Sequence, residues 1–202
     1  PDGPWDNALH RNTLVLVGRN VLTVWRKLPL EGAPPDLVVR GGLGNVEFRE
    51  LTGVALDDNY LYLADRQTNV VTVWEASVLE RLTRAAGAAG APDRATLEPK
   101  FPVRFDRPGR LTSDGAYLAV CPFEGQNIAI YRVADLASGQ PLITSGPGAF
   151  NLPGECLVAH GSLFVANRGH HRVHVWHRIE DALAGRSPDA LLGATGPGDT
   201  TP

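Results

Sequence analysis

At 202 residues, with 43% hydrophobic and 20% charged positions, the chain is long enough and apolar enough to bury a full core. Its formal net charge of -3 gives no general pull toward nucleic acid or an anionic membrane, and no run approaches transmembrane length. No secretory signal is present, and the chain opens on Pro1 without an initiator Met, as expected at a processed boundary.

Taken in order, Pro4 to Trp25 (PWDNALHRNTLVLVGRNVLTVW) reads as three short strands, and the tail RKLPLEGAPPDLVV adds a fourth. Leu51 to Trp74 (LTGVALDDNYLYLADRQTNVVTVW) repeats the three strands. Its tail is far longer: SVLERLTRAAGAAGA reads as a short helix running into a flexible Ala/Gly stretch. ATLEPKFPVRF then supplies a fourth strand that Pro99 and Pro102 confine to an edge. This insert, about residues 76–100, is expected to be a tolerated surface excursion rather than a functional arm. Pro108 to Tyr131 (PGRLTSDGAYLAVCPFEGQNIAIY) is the third copy, with the tail RVADLASGQPLIT. The clearest copy is the fourth, Pro153 to Trp176 (PGECLVAHGSLFVANRGHHRVHVW). There Val173 and Val175 share one face of the third strand and His174 takes the other, and the tail is HRIEDALAGRSPDALLG.

Four copies form an array. Four antiparallel strands, A to D, at a spacing of about 40–50 residues are the pattern of a β-propeller blade. The tails carry a short Leu-containing segment of helical character between strands C and D. The expected fold is therefore all-β: one propeller domain over 1–202, with blades at about 1–45, 46–107, 108–150 and 151–202. Cys121 and Cys156 fall on strands of different blades and are expected to be small buried residues rather than a disulfide.

GPGAFNLPGECLVAHGSLFVANRGHHRVHVW resembles an NHL repeat: a Gly/Pro-rich lead, an N-L-P-x-G step, L-x-V-A-[DN], and an H-x-R-V-x-V-aromatic strand. LTGVALDDNYLYLADRQTNVVTVW fits the same pattern, and the tails SPDALLGATGPGD and PPDLVVRGG resemble a bacterial NHL subgroup. The likeness is fair in the first copy and weak in the third, where CPFEGQN replaces the polar turn. NHL propellers commonly have six blades, often closed by a strand from the other terminus, and no strand is left over here for such a clasp. Four blades therefore close on themselves, as in hemopexin-like propellers, or missing blades or a second copy complete the ring. Low cysteine content and extracellular NHL-like relatives favour a secreted or periplasmic setting.

Two sets of residues recur at fixed repeat positions. Just after the Pro-Gly step, on the innermost strand, stand Asp6, Gly53, Arg110 and Glu155, where the NHL pattern usually has a small residue. Three charges converging on the axis would pair, Arg110 between Asp6 and Glu155. They would form a ligand-binding cluster at the channel mouth or, alternatively, a salt-bridge plug that fixes blade order. After strand B stand Arg19, Arg66 and Arg168, with Phe123 in the third copy. On one face they suit an anionic ligand or partner, unless Arg is there only as a soluble turn residue. The preceding Asp65 and Asn167 are expected to bond the hairpin backbone.

His170, His171, His174 and His177 crowd one segment, but a turn and strand do not give the helical spacing that metal would want. There is no zinc or Asp-rich calcium pattern, no nucleophile elbow and no phosphate loop. No cofactor or metal is implied. The expected function is a non-catalytic scaffold that binds a protein or a small anionic ligand through the turn face and the channel mouth. The rival is a lyase or lactonase-like enzyme that uses Asp6 and Glu155 at the channel, possibly with a metal. Arg110 would repel a divalent cation there. RNA binding would want a basic face with stacking aromatics, and the chain is slightly acidic.

Overall fold

The computed structural model describes residues 3–86, 97–144 and 150–193. They form four antiparallel sheets of four strands, each a simple meander. Sheet 1 holds β1 (Asp6–His10), β2 (Thr13–Gly18), β3 (Val21–Trp25) and β4 (Leu37–Arg40). A small hairpin follows, β5 (Gly42–Leu43) with β6 (Val46–Glu47). Sheet 2 holds β7 (Leu51–Leu56), β8 (Tyr60–Asp65), β9 (Val70–Glu75) and, after helix α1 (Ser77–Ala86), β10 (Phe101–Arg104). Sheet 3 holds β11 (Pro108–Ser113), β12 (Tyr117–Pro122), β13 (Ala129–Arg132) and β14 (Ile143–Thr144). Sheet 4 holds β15 (Pro153–Ala159), β16 (Ser162–Asn167), β17 (Arg172–Trp176), helix α2 (Ile179–Leu183) and β18 (Ala190–Gly193). The chain divides into two compact units, Pro1–Pro108 and Gly109–Pro202.

In the first unit β7 is buried along its whole length. One face of sheet 1, with Val15, Val17, Leu22, Val24 and Val39, packs into a core with Val54, Leu56, Leu61, Leu63 and Trp74 of sheet 2. Each such Val or Leu contributes about 1.5–3 kcal/mol by leaving water. Helix α1 adds Val78, Leu79 and Leu82, three apolar positions on one side of two turns, and its opposite side stays exposed. The hairpin β5–β6 buries Leu43, and its turn residue Gly44 sits at φ +59° so close to Leu97 that an added Cβ would collide with the Leu97 carbonyl. The fourth strand after the long insert is β10. It lies at the sheet edge, where Pro102 is tolerated. The Ala/Gly stretch expected to be flexible lies outside the described residues.

Repeats 1 and 4 share a device at the end of strand C. Trp25 Nε1–H donates to the Ala33 carbonyl at 3.1 Å, while Asp36 accepts the Arg26 N–H at 2.7 Å. Likewise Trp176 Nε1–H donates to the Arg186 carbonyl at 3.0 Å, while Asp189 accepts the His177 N–H at 2.7 Å. In both, the indole reaches the residue three before the aspartate, so the Pro-Asp lead of strand D is a lock on the preceding tryptophan. The expected helical character between strands C and D holds in sheets 2, 3 and 4 but not in sheet 1. There Pro29, Pro34 and Pro35 leave turns, because proline removes donors and restricts its neighbours.

In the second unit Ala119, Ile128, Ile130, Phe150, Val158, Leu163, Val165, Trp176 and Ile179 form the core. Cys121 and Cys156 sit inside it and are disulfide-bonded, which corrects the expectation of two free buried thiols. Their strands, β12 and β15, belong to neighbouring sheets whose facing positions bring the two Cα atoms to 6.0 Å, within the range a disulfide spans. Separated by 35 residues, the two cysteines close a loop worth about 3–4 kcal/mol by chain-entropy reckoning. Denaturant unfolding should therefore show the Cys121→Ser/Cys156→Ser protein, or the reduced wild type, less stable by that order. Equal unfolding curves with and without reductant would contradict it.

Candidate functional site

Each residue of the turn set is the first after strand B: Arg19 after β2, Arg66 after β8, Phe123 after β12 and Arg168 after β16. Arg19 and Arg66 lie in the first unit, Phe123 and Arg168 in the second. Their surroundings differ. Arg66 forks onto Glu50, Nε to Oε2 at 3.0 Å and Nη2 to Oε1 at 2.7 Å, with both side chains largely buried. That fork is already filled, so Arg66 fastens the turn to the D–A connection and is not open to a ligand. Arg19 is exposed, and its carbonyl accepts the Leu51 N–H at 2.8 Å. Arg168 is exposed as well. Its Nε reaches the Leu152 carbonyl at 3.5 Å, and its stem lies across Gly154, where any Cβ would meet Arg168 Cδ at 2.6 Å. Phe123 presents an exposed ring at the matching position of sheet 3.

Asp65 and Asn167 end strand B in sheets 2 and 4, and both are buried. Asp65 Oδ1 accepts the N–H groups of Gln67 and Thr68 at 3.0 and 3.2 Å, as a turn-forming aspartate does. Its Oδ2 also accepts from Arg49 and Glu50, at 2.8 and 3.0 Å, and this ties the B–C turn to the D–A connection. Sequence reasoning found the first role and missed the second. The available signal was a polar residue closing an otherwise apolar, buried strand. Asn167 makes only the second kind of tie: Oδ1 accepts the Asn151 N–H of the D–A connection at 2.8 Å, while Nδ2 faces His170 Nδ1 at 3.1 Å and His174 Nε2 at 3.3 Å, so its expected bond to the hairpin backbone is replaced by contacts to these side chains.

The innermost-strand positions are equivalent by register. Asp6 stands opposite Val17, Gly53 opposite Ala64 and Glu155 opposite Ala166, and each of these partners lies two residues before its turn arginine. A bulge precedes both Gly53 and Glu155. Asp6 is buried, and its Oδ2 accepts the Val54 N–H at 3.0 Å, joining strand A of sheet 1 to strand A of sheet 2. Arg110 is half-buried, and Glu155 is exposed. In the second unit Thr112 makes a comparable link. Its hydroxyl donates to the Cys156 carbonyl at 3.1 Å and accepts the Val158 N–H at 3.0 Å.

Of the four clustered histidines, His174 has the most structured surroundings. It points away from Val173 and Val175 as expected, yet that second face is also packed. Its ring lies 5.5 Å from that of Phe150 and 5.9 Å from that of Trp176. Burial first, then the charges of His170 and Arg172, hold its pKa below the usual 6.5. The folded second unit therefore prefers neutral His174, whereas the unfolded chain takes up a proton near pH 6.5. Stability is fully present above that pH and falls as pH drops below it, levelling out beneath the lowered pKa, with a slope of less than one proton for a half-buried ring. Urea midpoints measured from pH 7.5 down to pH 5 (roughly the histidine range) should fall for the wild type and fall less for His174→Gln; identical slopes would contradict this.

No helix among the described residues is long and apolar enough to cross a membrane. No protein-family model matches the chain, and no curated protein does. Solved structures do match, at low identity. The RRP9 WD40 repeats align with a TM-score of 0.62 at 12% identity over 96% of this chain and 52% of that one. Kuenenia stuttgartiensis hydrazine synthase aligns with a TM-score of 0.60 at 12% identity, over 94% and 49%. Kluyveromyces lactis Hsv2 aligns with a TM-score of 0.55 at 12% identity, over 87% and 45%. The chain thus has a β-propeller fold built from four-stranded antiparallel blades, and it spans about half the length of each of these three.

Proposed function

We propose that this chain is a non-catalytic binding scaffold of the bacterial NHL-repeat kind, which holds an acidic protein segment or a small anionic ligand on its B–C turns. The observation that carries the proposal is Arg19: an exposed guanidinium at the repeated turn position, with no side-chain partner among the described residues. Arg168 adds a second exposed fork at the matching position of sheet 4. Guanidinium forks suit carboxylates, and a surface residue repeated in register is what a scaffold reads with. Asp6, Arg110 and Glu155 on the innermost strands belong to the same proposal as secondary ligand contacts, each within its own unit, with Asp6 already engaged by Val54. The NHL reading rests on the L-x-[VL]-A-[DN] and Val-x-Val-aromatic strands of the second and fourth copies. A secreted or periplasmic setting is supported by the Cys121–Cys156 disulfide, which persists in oxidising compartments.

Fluorescence anisotropy with a labelled oligo-glutamate peptide tests this at low salt. Arg19→Ala and Arg168→Ala should each weaken binding roughly tenfold, since a charge-assisted hydrogen bond contributes about 1.5 kcal/mol or more. Arg66→Ala should act chiefly on stability, because its fork is filled by Glu50. Absence of binding by the wild type, or affinity unchanged in the Arg19→Ala/Arg168→Ala protein, would contradict the proposal.

A further inference from the structure

The amide of Asn167 is oriented by its own hydrogen bonds, and that orientation fixes the protons on His170 and His174. Asn167 closes β16 and is fully buried. Its Oδ1 takes the backbone N–H of Asn151 at 2.8 Å, a partner that can only donate. The other end of the amide is therefore the NH2 group, with two hydrogens to place. His170 Nδ1 at 3.1 Å and His174 Nε2 at 3.3 Å receive them. A ring nitrogen that accepts carries no proton. His170 is thus the Nε2–H tautomer and His174 the Nδ1–H tautomer, and both rings are neutral.

The same amide fastens the B–C turn of sheet 4 to the connection before β15. Within the turn Arg168–His170, Gly169 N–H donates to the Asn151 carbonyl at 2.8 Å, and Asn151 Nδ2 reaches back to the Gly169 carbonyl at 3.4 Å. The two segments lie so close that any side chain at Gly169 would collide with that of Asn151. A protonated imidazole turns this arrangement into a choice. It donates from both ring nitrogens, so the only end of the amide it can meet is Oδ1. The amide then turns over and sets its NH2 against the Asn151 N–H, or it stays and faces the ring donor to donor. Either way a buried bond is lost. Nothing around His174 offsets that loss. The charges that act on it are those of His170 and Arg172, and its neighbours Val165 on β16, Leu191 on β18 and Phe150 carry none. His170 has Arg168, His171 and Arg172 as sequence neighbours, with no acid among them.

We propose that this turn is an acid-released clasp: neutral His170 and His174 hold Asn167 in the orientation that binds Asn151, and protonation of either ring releases the Asn151 N–H. Burial holds the His174 pKa below 6.5, so its half of the clasp is closed at neutral pH and opens on the acid side of that value. The clasp holds the segment that carries Arg168, so acid loosens the turn that presents this guanidinium. That consequence for ligand binding rests on the reading of Arg168 as a ligand contact. The clasp itself does not, because every group in it belongs to the second unit and none is the ligand.

Heteronuclear NMR of the 202-residue chain tests the clasp without any ligand, so its outcome is separate from that of the peptide titration. At about pH 7.5, above the histidine range, the ring proton should sit on Nε2 of His170 and on Nδ1 of His174. The opposite tautomer at either ring would overturn the proposal. On going to about pH 5, the Asn151 amide should lose protection against hydrogen exchange roughly fivefold after correction for the intrinsic effect of pH, as expected for one hydrogen bond. Amides of the β15–β16 ladder should keep theirs. In His170→Gln/His174→Gln, whose carboxamides accept at either pH, Asn151 protection should no longer change. Protection of Asn151 that holds in the wild type at the lower pH, or that falls equally in the variant, would overturn the proposal. The tautomers are read on the wild type, so the test is decisive even where the variant fails to fold.

Discussion

The outward edge of strand A is the constraint on which the architecture turns. In a meander of four strands, the first strand pairs with the second on one side only, so its other side presents backbone amides that a buried position cannot leave unpaired. The chain answers with side chains from the preceding sheet. Asp6 takes the amide of Val54, and Thr112 takes that of Val158 while donating to the carbonyl of Cys156. The Asp6 bond is part of what lets β7 be buried throughout its length in a core of valines and leucines. A charged residue at this position is therefore first a joint between sheets. Glu155 stands at the same position with its carboxylate exposed.

The turn face follows from the same economy of repeats. One position after strand B receives Arg19, Arg66, Phe123 or Arg168, and the neighbours decide what each can do. Glu50 captures Arg66 bidentately, while Gly154 gives the Arg168 stem room to lie flat and leaves its head at the surface. Arg19 is open. A repeat that looks uniform in sequence is thus uneven in chemistry, and the uneven members are the ones available for recognition.

Most of the fold was legible in the sequence because strand alternation and turn residues are local signals. The four copies, the edge strand carrying Pro102, and the turn role of Asp65 all follow from them. What escaped depended on distances between segments. Cys121 and Cys156 were seen to lie on different blades, but not that neighbouring sheets bring them face to face. The Glu50 partner of Arg66 sits in a connection whose path no periodicity predicts, as does the hairpin β5–β6 wedged beside Leu97. In the first tail, leucine spacing suggested a helix, and three prolines prevailed.

The sheet-to-sheet joint can be examined one amide at a time by native-state hydrogen exchange. Val54 N–H should be strongly protected in the wild type and should exchange roughly tenfold faster or more in Asp6→Ala, with amides of the β2–β3 ladder little changed. That acceleration corresponds to a charged hydrogen bond of about 1.5 kcal/mol. Val54 protection unaltered by the loss of the Asp6 carboxylate would contradict the claim that this side chain joins the sheets.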